Sequence, residues 1–475
     1  MNFETVIGIE IHLELKTKTK MFSNSKVDFN DAPNTNVNEI DLALPGTLPT
    51  VNKEAVRMAL RACKALNCTI DPLIKFDRKN YYYSDLPKGY QITQQFYPIG
   101  SNGYIMVPYQ GKEVKIRINR IHMEEDTAKQ LHTDNGTYID YNRAGTPLIE
   151  VVSEADIRDG EMAASYINEL KNIFYYLGIS DCKMEQGSLR CDVNVSIRPY
   201  GVDYFGTKVE IKNVNSINYI QKAIESEVKR QESVILSNQK IIQSTWRYDE
   251  KNRKNILMRL KEGSVDYRFF PEPNILPIRL SEDFVGQVIN NLPQLPKERL
   301  NQYLDNGLTL IESNILVNNK ELGDYFNQVV EIYPNYKSVC NWVIGDFLNG
   351  LNKNNMDITK CLIQPQNLAN LIKLVDDKDI SGKQGKEVLT KIYDGSDALS
   401  LVEKMGIKQN SNVDYICKVI EDVLKENEQS INDYHSGKDK ALGFLIGKVM
   451  KITKGQVNPA LTNKLMIEAL NKYQS

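Results

Sequence analysis

The run IEIHLELK, from Ile9 to Lys16, is the feature that most constrains the fold of this chain. Apolar residues alternate there with Glu10, His12 and Glu14, and a repeat of two residues is typical of a β-strand whose two faces meet different surroundings. One face is predicted to lie against an apolar core. The other face would carry two carboxylates and an imidazole, and any function of the strand is expected on that face.

Elsewhere in the chain, apolar residues recur either at every second position, as in a strand, or at helical spacing. Strand-like alternation recurs in VKIRINR (114–120), SLRCDVNVSIR (188–198) and TKVEIK (207–212). Helical spacing is found from Met162 to Leu177 and from Ser216 to Leu236, and beyond about residue 296 it is almost the only period. We therefore predict an α+β fold with a largely antiparallel sheet, followed by an all-α region.

Prolines and polar breaks suggest where the chain divides. Five prolines between Pro271 and Pro296 favour an extended connection, and KMGIKQNSNV (404–413) interrupts the helical pattern. With 475 residues the chain is too long for one hydrophobic core. We predict three domains, with boundaries at 1–292, 293–406 and 407–475.

Composition argues against several classes of protein. Seven scattered cysteines without a C-x-x-C pair are typical neither of a disulfide framework nor of a zinc site. A net charge of -2 gives no global attraction to nucleic acid, so any RNA contact would be local. No apolar run approaches the roughly 18 residues of a membrane span, and the start lacks a basic and apolar leader, so we expect a cytoplasmic protein without a membrane partner.

Acidic side chains accumulate around the predicted strands. Asp192 is expected on a strand face like that of Glu10 and His12, and other acids follow or interrupt strand patterns: Glu124, Glu125 and Asp126 in HMEED, and Glu150 in TPLIEVVSE. Oxygen ligands with one imidazole favour a hard cation such as Mg²⁺ or Mn²⁺. The alternative, which the sequence leaves open, is that these acids form ion pairs with Lys16, Arg117, Arg120 and Lys208.

Basic and aromatic residues alternate between residues 75 and 95. Arg78 and Lys79 lead into Tyr82 and Tyr83, and such a combination can stack on a base while binding phosphate. A solvated loop with packed tyrosines explains the same pattern equally well. Weaker signals of this kind are Arg143 in YNRAGTP and the tail lysines, among them Lys438 and Lys454. No phosphate-binding loop or dinucleotide fingerprint is present, so a nucleotide would need a less common pocket.

Nine segments, taken in order, resemble the B subunits of the aspartyl/glutamyl-tRNA amidotransferase family. They are ETVIGIEIHLELKT, LPGTLPTVN, KFDRKNYYYSDLPKGYQI, HMEEDTAK, NRAGTPLIEVVSE, GSLRCDVNVSIRP, EIKNVNS, MRLKEGSVDYRFFPEP and KVMKITKGQVNP. The segments extend from residue 4 to about residue 460. Each is weak alone, but their order makes the resemblance specific.

The resemblance implies a cradle-like α+β domain, a helical domain and a small YqeY-like helical tail. It also implies a heterotrimer with the A subunit, which is a glutaminase, and the small C subunit. Ammonia from the glutaminase would reach the B subunit, where ATP phosphorylates the side-chain carboxylate of glutamate or aspartate misacylated onto tRNA. Ammonia would then displace the phosphate, so ATP, Mg²⁺ and misacylated tRNA are the expected ligands.

The resemblance also implies roles for individual residues. The metal set would be Glu10, His12, Glu125 and Glu150, with Asp192 as a further ligand. Lys79 is expected to act beside these residues in catalysis. The substrate and tRNA would meet Arg78, Tyr82, Tyr83, Arg143, Lys438 and Lys454.

Three positions depart from the family pattern. Gln186 stands where the family has a second glutamate, Trp246 replaces an arginine, and Ser84 replaces a proline. Loss of an anion and a cation near a nucleotide site weakens metal or phosphate binding. A divergent tRNA-binding or assembly subunit with reduced catalysis is therefore the alternative function.

Overall fold

The computed structural model describes residues 2–212, 214–260, 266–407, 413–438, 440–453 and 457–472. The chain forms two compact units, Met1–Pro296 and Lys297–Ser475. The first unit combines sheet and helices, and the second is helical in its described part. The predicted α+β class, with a largely antiparallel sheet before an all-α region, is confirmed.

The first unit contains the strands that the structure describes. In chain order they are β1 (Phe3–Glu14), β2 (Thr69–Ile70), β3 (Leu73–Ile74), β4 (Asp77–Asn80), β5 (Tyr90–Thr93), β6 (Gly100–Tyr109), β7 (Lys112–Glu125), β8 (Lys129–Thr133), β9 (Gly136–Asp140), β10 (Pro147–Ser153), β11 (Leu189–Pro199), β12 (Val209–Lys212), β13 (Ser244–Asp249), β14 (Lys254–Leu260), β15 (Phe270–Pro271) and β16 (Ile278–Arg279). The predicted strands in β1, β7, β11 and β12 are all present.

Nine of these strands form one large sheet, in the spatial order β14-β13-β12-β11-β1-β10-β7-β6-β2. Within the described residues, neighbouring strands run antiparallel except β12 and β13, which are parallel. A parallel pair needs a long crossover, and the helix Ile217–Leu236 lies between these two strands in the chain. A small sheet, in the order β15-β4-β5, carries the basic and aromatic segment.

The two faces of the large sheet differ as the alternation of β1 predicts. Ile7, Ile9, Ile11 and Leu13 are each at most 1% exposed and belong to the core of the unit. The burial of such side chains is the main source of stability of the sheet, at roughly 25 cal/mol per Å² of apolar surface removed from water. The opposite face presents the polar side chains of β1, and it is the face on which the candidate site lies.

In the part of the sheet unit that the structure describes there are four α-helices: α1 (Lys53–Ala65), α2 (Gly160–Tyr176), α3 (Ile217–Leu236) and α4 (Glu282–Ile289). The predicted helices at α2 and α3 are confirmed. A side chain caps the N-terminus of each of these two helices. Asp159 accepts from the backbone N–H of Met162, and Ser216 accepts from that of Tyr219. After α2, Gly178 takes a positive φ of 67°, a backbone conformation that glycine adopts without strain.

The proline-rich segment is more structured than an extended connection. β15 pairs with β4, β16 pairs with β3, and α4 contributes Val288 to the core of the sheet unit. Proline is tolerated there because these strands are only two residues long and α4 contains none. The expectation of a simple connection between Pro271 and Pro296 was therefore wrong.

The second unit is helical in its described part, and its first helix begins at the boundary between the units. The helices are α5 (Pro296–Asp305), α6 (Leu310–Asn318), α7 (Lys320–Ile332), α8 (Tyr336–Trp342), α9 (Leu348–Lys353), α10 (Pro365–Asp376), α11 (Gly382–Lys391), α12 (Ala398–Met405), α13 (Val413–Glu426), α14 (Glu428–His435), α15 (Lys440–Ile452) and α16 (Pro459–Lys472), with a π-helical turn at Val343–Phe347 between α8 and α9. Among the residues that the structure describes, no helix is both long and apolar enough to cross a membrane.

Candidate functional site

The polar face of the large sheet brings distant parts of the chain into one row. His12 on β1 lies opposite Glu150 on β10 and opposite Arg190 on β11. Glu150 in turn lies opposite His122 on β7. Residues directly opposite each other on one face have Cβ atoms roughly 5 Å apart, so their side chains meet.

Three of these side chains form a compact group with Glu124, which we call the acid–histidine cluster: His12, His122, Glu124 and Glu150. His12 Nδ1 lies 3.2 Å from Glu124 Oε1 and 3.8 Å from Glu150 Oε2. His122 Nε2 lies 3.2 Å from Glu150 Oε2 and 3.7 Å from Glu124 Oε2. One ligand atom from each of His12, Glu124 and Glu150 lies within 4.8 Å of the other two.

The cluster is strongly coupled electrostatically. Burial opposes protonation of both rings, but the carboxylates of Glu150 and Glu124 outweigh it and raise the pKa of His12 and of His122 to about 9. Burial also opposes ionisation of the two acids, and here the imidazoles outweigh it. They lower the pKa of Glu150 to about 2 and that of Glu124 well below its ordinary value. The buried carboxylate of Glu124 and the half-buried one of Glu150 are thus balanced by positive charge.

The donor set of the cluster fits a divalent cation. Carboxylate oxygens with imidazole nitrogen suit Mg²⁺ or Mn²⁺, which would supply the positive charge that the two imidazoles otherwise provide. The buried Nδ1 of His122 has no hydrogen-bond partner among the described residues, so this ring is held only through its Nε2. The residues that are present therefore fit a metal centre.

A second acidic group lies on the neighbouring row of the same face. Glu10, Asp192 and Glu210 each place one carboxylate oxygen within 4.8 Å of the other two. Lys212 already neutralises much of this charge, because its Nζ lies 2.6 Å from Asp192 and 3.0 Å from Glu210. Burial and the negative charges of Glu150 and Asp192 raise the pKa of Glu10.

The predicted metal residues are only partly brought together. His12 and Glu150 lie in the acid–histidine cluster, while Glu10 and Asp192 lie in the second group, where Asp192 Oδ2 is 4.0 Å from His12 Nε2. Among the residues that the structure describes, Glu125 is a member of neither acidic group. Its carboxylate accepts from the Lys88 ammonium and, at 3.0 Å, from the backbone N–H of Ile92.

Glu124 takes the place that was predicted for Glu125, and a β-bulge is the physical reason. Arg120 pairs with Val152 and Ile118 with Ser153, so Asn119 is an extra residue on β7. An extra residue reverses which face every later side chain occupies. The structure therefore brings Glu124, rather than the predicted Glu125, to His12 and Glu150. It also adds His122, which was not predicted and for which the polar alternation beyond the bulge was the available signal.

Glu125 instead faces a cavity on the other side of β7. The cavity measures about 340 Å³, and Lys88, Arg78 and Tyr90 also line it. Arg78 forms two contacts with Glu272, at 2.5 and 3.0 Å, and its guanidinium lies 4.0 Å from the centroid of the Tyr90 ring. Arg78 is thus engaged in a partly buried ion pair with Glu272 at the wall of this cavity.

The other predicted contacts in the sheet unit are dispersed. Lys79 lies over the rings of Tyr267 and Tyr81, whereas Tyr82 is 92% exposed and Tyr83 is 56% exposed. Arg143 reaches Glu14 at 3.1 Å and Asp126 at 2.5 Å, and the guanidinium of Arg190 also contacts Asp126. Two guanidinium groups therefore converge on the buried carboxylate of Asp126. Arg190 also lies opposite His12 in the pairing of β11 with β1.

The helical unit holds the two predicted tail lysines. Lys438 is exposed, and its Nζ lies 2.8 Å from Asp433. Lys454 lies outside the described residues. The prediction that these lysines contact tRNA is therefore not decided by their surroundings.

Ser84 and Trp246, two of the three departures from the family pattern, contact residues outside the acid–histidine cluster. Ser84 accepts from the Gln130 amide at 2.9 Å, and Gln186 is exposed at the end of a 3₁₀ turn. The Arg230 guanidinium lies over the Trp246 ring, 4.5 Å from its centroid. Trp246 is therefore anchored within the sheet unit by a cation–π contact.

Two family models match the chain, one over each unit. The GatB/GatE catalytic domain matches residues 5–286, which include both acidic groups. The model described as the GatB domain matches residues 324–470.

Several relatives match along almost the whole length. A protein of Oceanobacillus iheyensis is 48% identical over 474 residues, which is 99% of this chain and 100% of the relative. Proteins of Staphylococcus saprophyticus, at 48%, and Bacillus mycoides, at 47%, match over the same shares. Each is named as the B subunit of aspartyl/glutamyl-tRNA(Asn/Gln) amidotransferase.

Proposed function

The chain belongs to the family of aspartyl/glutamyl-tRNA amidotransferase B subunits, and on this premise we propose that it carries the transamidation site. The side-chain carboxylate of a glutamate or aspartate misacylated onto tRNA attacks the γ-phosphorus of ATP, and ADP leaves. Ammonia then attacks the acyl carbon and loses a proton while inorganic phosphate leaves. The product is glutaminyl-tRNA or asparaginyl-tRNA.

The observation that carries this proposal is the partly buried acid–histidine cluster. Its carboxylates and imidazole are a donor set for Mg²⁺, and it lies within the part of the chain that matches the catalytic-domain family. A bound Mg²⁺ would neutralise phosphate oxygens during phosphoryl transfer. We propose that Glu124, Glu150 and His12 hold this ion.

Neighbouring residues are assigned supporting roles. His122 contacts both Glu150 and Glu124, so it would orient the two carboxylates, as outer contacts of metal ligands commonly do. Glu10 and Asp192 place negative charge on the next row and would favour cation binding or ligate directly. Lys79 lies beside an aromatic surface and would help to position the substrate.

We propose three partners for the chain. Ammonia would come from the glutaminase, which is the A subunit, and the small C subunit would complete the complex. The names of the relatives support this, because they describe one subunit of a larger enzyme. Misacylated tRNA would be the third partner, with Lys438 and Lys454 as phosphate contacts. Tyr82, Tyr83, Arg143 and, through the Glu272 ion pair, Arg78 would shape the surface on which the tRNA docks.

The direct test is amide formation by the full chain assembled with the glutaminase and the small C subunit. With misacylated tRNA, ATP and ammonium, we expect the amidated tRNA to form. Glu150→Gln should abolish the reaction while tRNA binding persists, because it removes one of the two carboxylates of the cluster. Glu161→Gln, an exposed residue of the first turn of α2, is the matched control and should retain activity.

Two results would contradict the proposal. Full turnover by Glu150→Gln would remove the cluster from catalysis. A wild-type complex that binds tRNA but never forms the amide would assign the chain to the alternative function of tRNA binding or assembly.

A further inference from the structure

A groove lies between α13 and α16, near the C-terminal end of the chain, and encloses a cavity of about 280 Å³. We call it the C-terminal groove. On each helix its lining residues are three or four positions apart, so they share one side of that helix. They are Cys417, Ile420 and Glu421 on α13, and Leu465, Glu468 and Ala469 on α16.

The floor of the C-terminal groove is an open edge of an apolar cluster. Ile420 is 1% exposed and belongs to this cluster, while Leu465 and Ala469 are partly buried and pack against it. Ala469 ends in a methyl group, so it leaves the space between the two helices unfilled. An apolar side chain that enters this space would extend the cluster, and its removal from water favours binding by roughly 25 cal/mol per Å².

The rim of the groove carries two free acids. Glu421 on α13 and Glu468 on α16 are exposed, and neither side chain has an ion pair or hydrogen bond with any residue that the structure describes. Lys472 also lines the groove, but it already interacts within the chain. Carboxylates on both sides of an apolar floor attract cations and repel phosphates. The groove is therefore complementary to a positively charged protein segment rather than to a nucleic acid.

The opposite charge is displayed on α15. Lys440, Lys448 and Lys451 are exposed there, and the Lys448 ammonium lies 5.5 Å from the centroid of the Phe444 ring. Such a face suits phosphate groups. The C-terminal groove and the lysine face of α15 therefore suit ligands of opposite charge.

The shape of the groove favours a helix as its occupant. From Leu465 to Lys472, α16 rises by roughly 10 Å, which is about two turns. An amphipathic helix places apolar side chains in such a groove at three- and four-residue steps. An extended peptide would instead need a sheet edge for its backbone hydrogen bonds, and the second unit has none in its described residues.

We propose that the C-terminal groove binds an amphipathic α-helix of another protein, with an apolar stripe over Ile420 and Ala469 and with lysine or arginine side chains beside Glu421 and Glu468. Binding of this kind does not depend on the transamidation activity, because no residue of the groove is assigned to catalysis or to tRNA contact. Such a helix would attach a second protein to the chain through α13 and α16.

The test uses the full chain and a synthetic peptide of about 18 residues, because shorter isolated helices are marginal in water. The peptide has a leucine stripe flanked by lysines, and a second peptide has glutamates in place of the lysines. In calorimetric titration the lysine peptide should bind at least roughly tenfold more tightly, since like charges across an interface repel. Equal binding of the two peptides, or no binding of the lysine peptide, would overturn the proposal.

Variants of the rim and of the floor test the position of the peptide. The double variant Glu421→Lys, Glu468→Lys should weaken binding of the lysine peptide at least roughly tenfold, because it reverses both rim charges. Glu426→Lys makes the same change at an exposed residue of α13 outside the lining, and this control should bind like the wild type. Ala469→Trp fills the cavity and should abolish binding. Unchanged binding by the double variant, or by an Ala469→Trp chain that retains its helix content in circular dichroism, would overturn the proposal.

Cys417 reports directly on occupancy of the groove. Its partly exposed thiol belongs to the lining, so the bound lysine peptide should protect it from alkylation by N-ethylmaleimide. Cys361, a partly exposed thiol packed against the other helical cluster, should react at an unchanged rate. Protection of both thiols or of neither would place the peptide elsewhere and refute the proposal. Protection of Cys417 by tRNA without peptide would assign the groove to nucleic acid and refute it as well.

Discussion

Glu124 and Glu125 are adjacent in sequence yet meet opposite surroundings. The Glu124 carboxylate lies between His12 and His122, whereas that of Glu125 accepts from Lys88. One position is suited to a cation from solvent, and the other already contains a cation from the protein. The two glutamates therefore provide a matched pair of substitutions within one strand.

We expect Glu124→Gln to weaken Mn²⁺ binding by at least roughly tenfold, the loss that even an outer contact of a metal ligand produces. Glu125→Gln should leave Mn²⁺ affinity unchanged but lower the free energy of unfolding by about 3 kcal/mol, because the Lys88 side chain is only 8% exposed and would lose its counter-charge. Calorimetric titration with Mn²⁺ and denaturant unfolding measure the two effects. If Glu125→Gln weakened Mn²⁺ binding and Glu124→Gln did not, Glu125 would be the metal ligand.

At the scale of elements, alternation predicted the two faces of β1 because a period of two residues is a local property of the chain. The face of Glu124 follows only from the alternation after the bulge, where the buried Ile121 and Met123 alternate with His122 and Glu124. Continued alternation from Ile116 and Ile118 places Glu125 on the polar face, and only the extra residue Asn119 reverses this. Asn119 looks in sequence like any other polar strand residue, because a bulge is decided by pairing with strands that lie far away in the chain.

The residue that caps α1 also makes hydrogen bonds to a distant segment, which its sequence pattern does not predict. Asn52 caps the helix through Oδ1, which accepts from the backbone N–H groups of Glu54 and Ala55. Its Nδ2 also donates to the carbonyl oxygens of Thr19 and Lys20, at 3.0 and 3.1 Å. One side chain thus joins the helix to the segment that follows β1.

We predict that Asn52→Asp lowers the free energy of unfolding by about 1–2 kcal/mol, although aspartate is normally an equally good cap. Aspartate would keep the acceptor but lose the donor, and it would face two carbonyl oxygens. The control is Asp397→Asn, because Asp397 caps α12 by accepting from Ser400 alone and should change stability little. Denaturant unfolding of both variants measures this, and equal stability of Asn52→Asp and wild type would refute it.

At the scale of the whole molecule, the described residues of the helical unit form two separate apolar clusters. One includes Leu316, Phe326 and Leu368, and the other includes Ile420 and Leu445. Helical periodicity made these helices predictable, since each buries one apolar stripe. The two clusters support our proposal that residues 407–475 form a tail domain distinct from 293–406.

We predict that deletion of residues 413–475 raises the KM for tRNA but leaves kcat with ammonium unchanged at saturating tRNA. The deletion removes the apolar cluster of Ile420 and Leu445 together with exposed Lys438, whereas the cluster of Leu316 and Phe326 keeps all its members. Cationic contacts to tRNA phosphates add affinity without touching the reacting groups, so their loss should also reduce the salt dependence of binding. Amidation kinetics over a range of tRNA concentrations measure KM and kcat separately. An unchanged KM would remove the tail from the tRNA contact surface, and a lower kcat at saturating tRNA would mean that the tail positions the reacting end of the substrate as well.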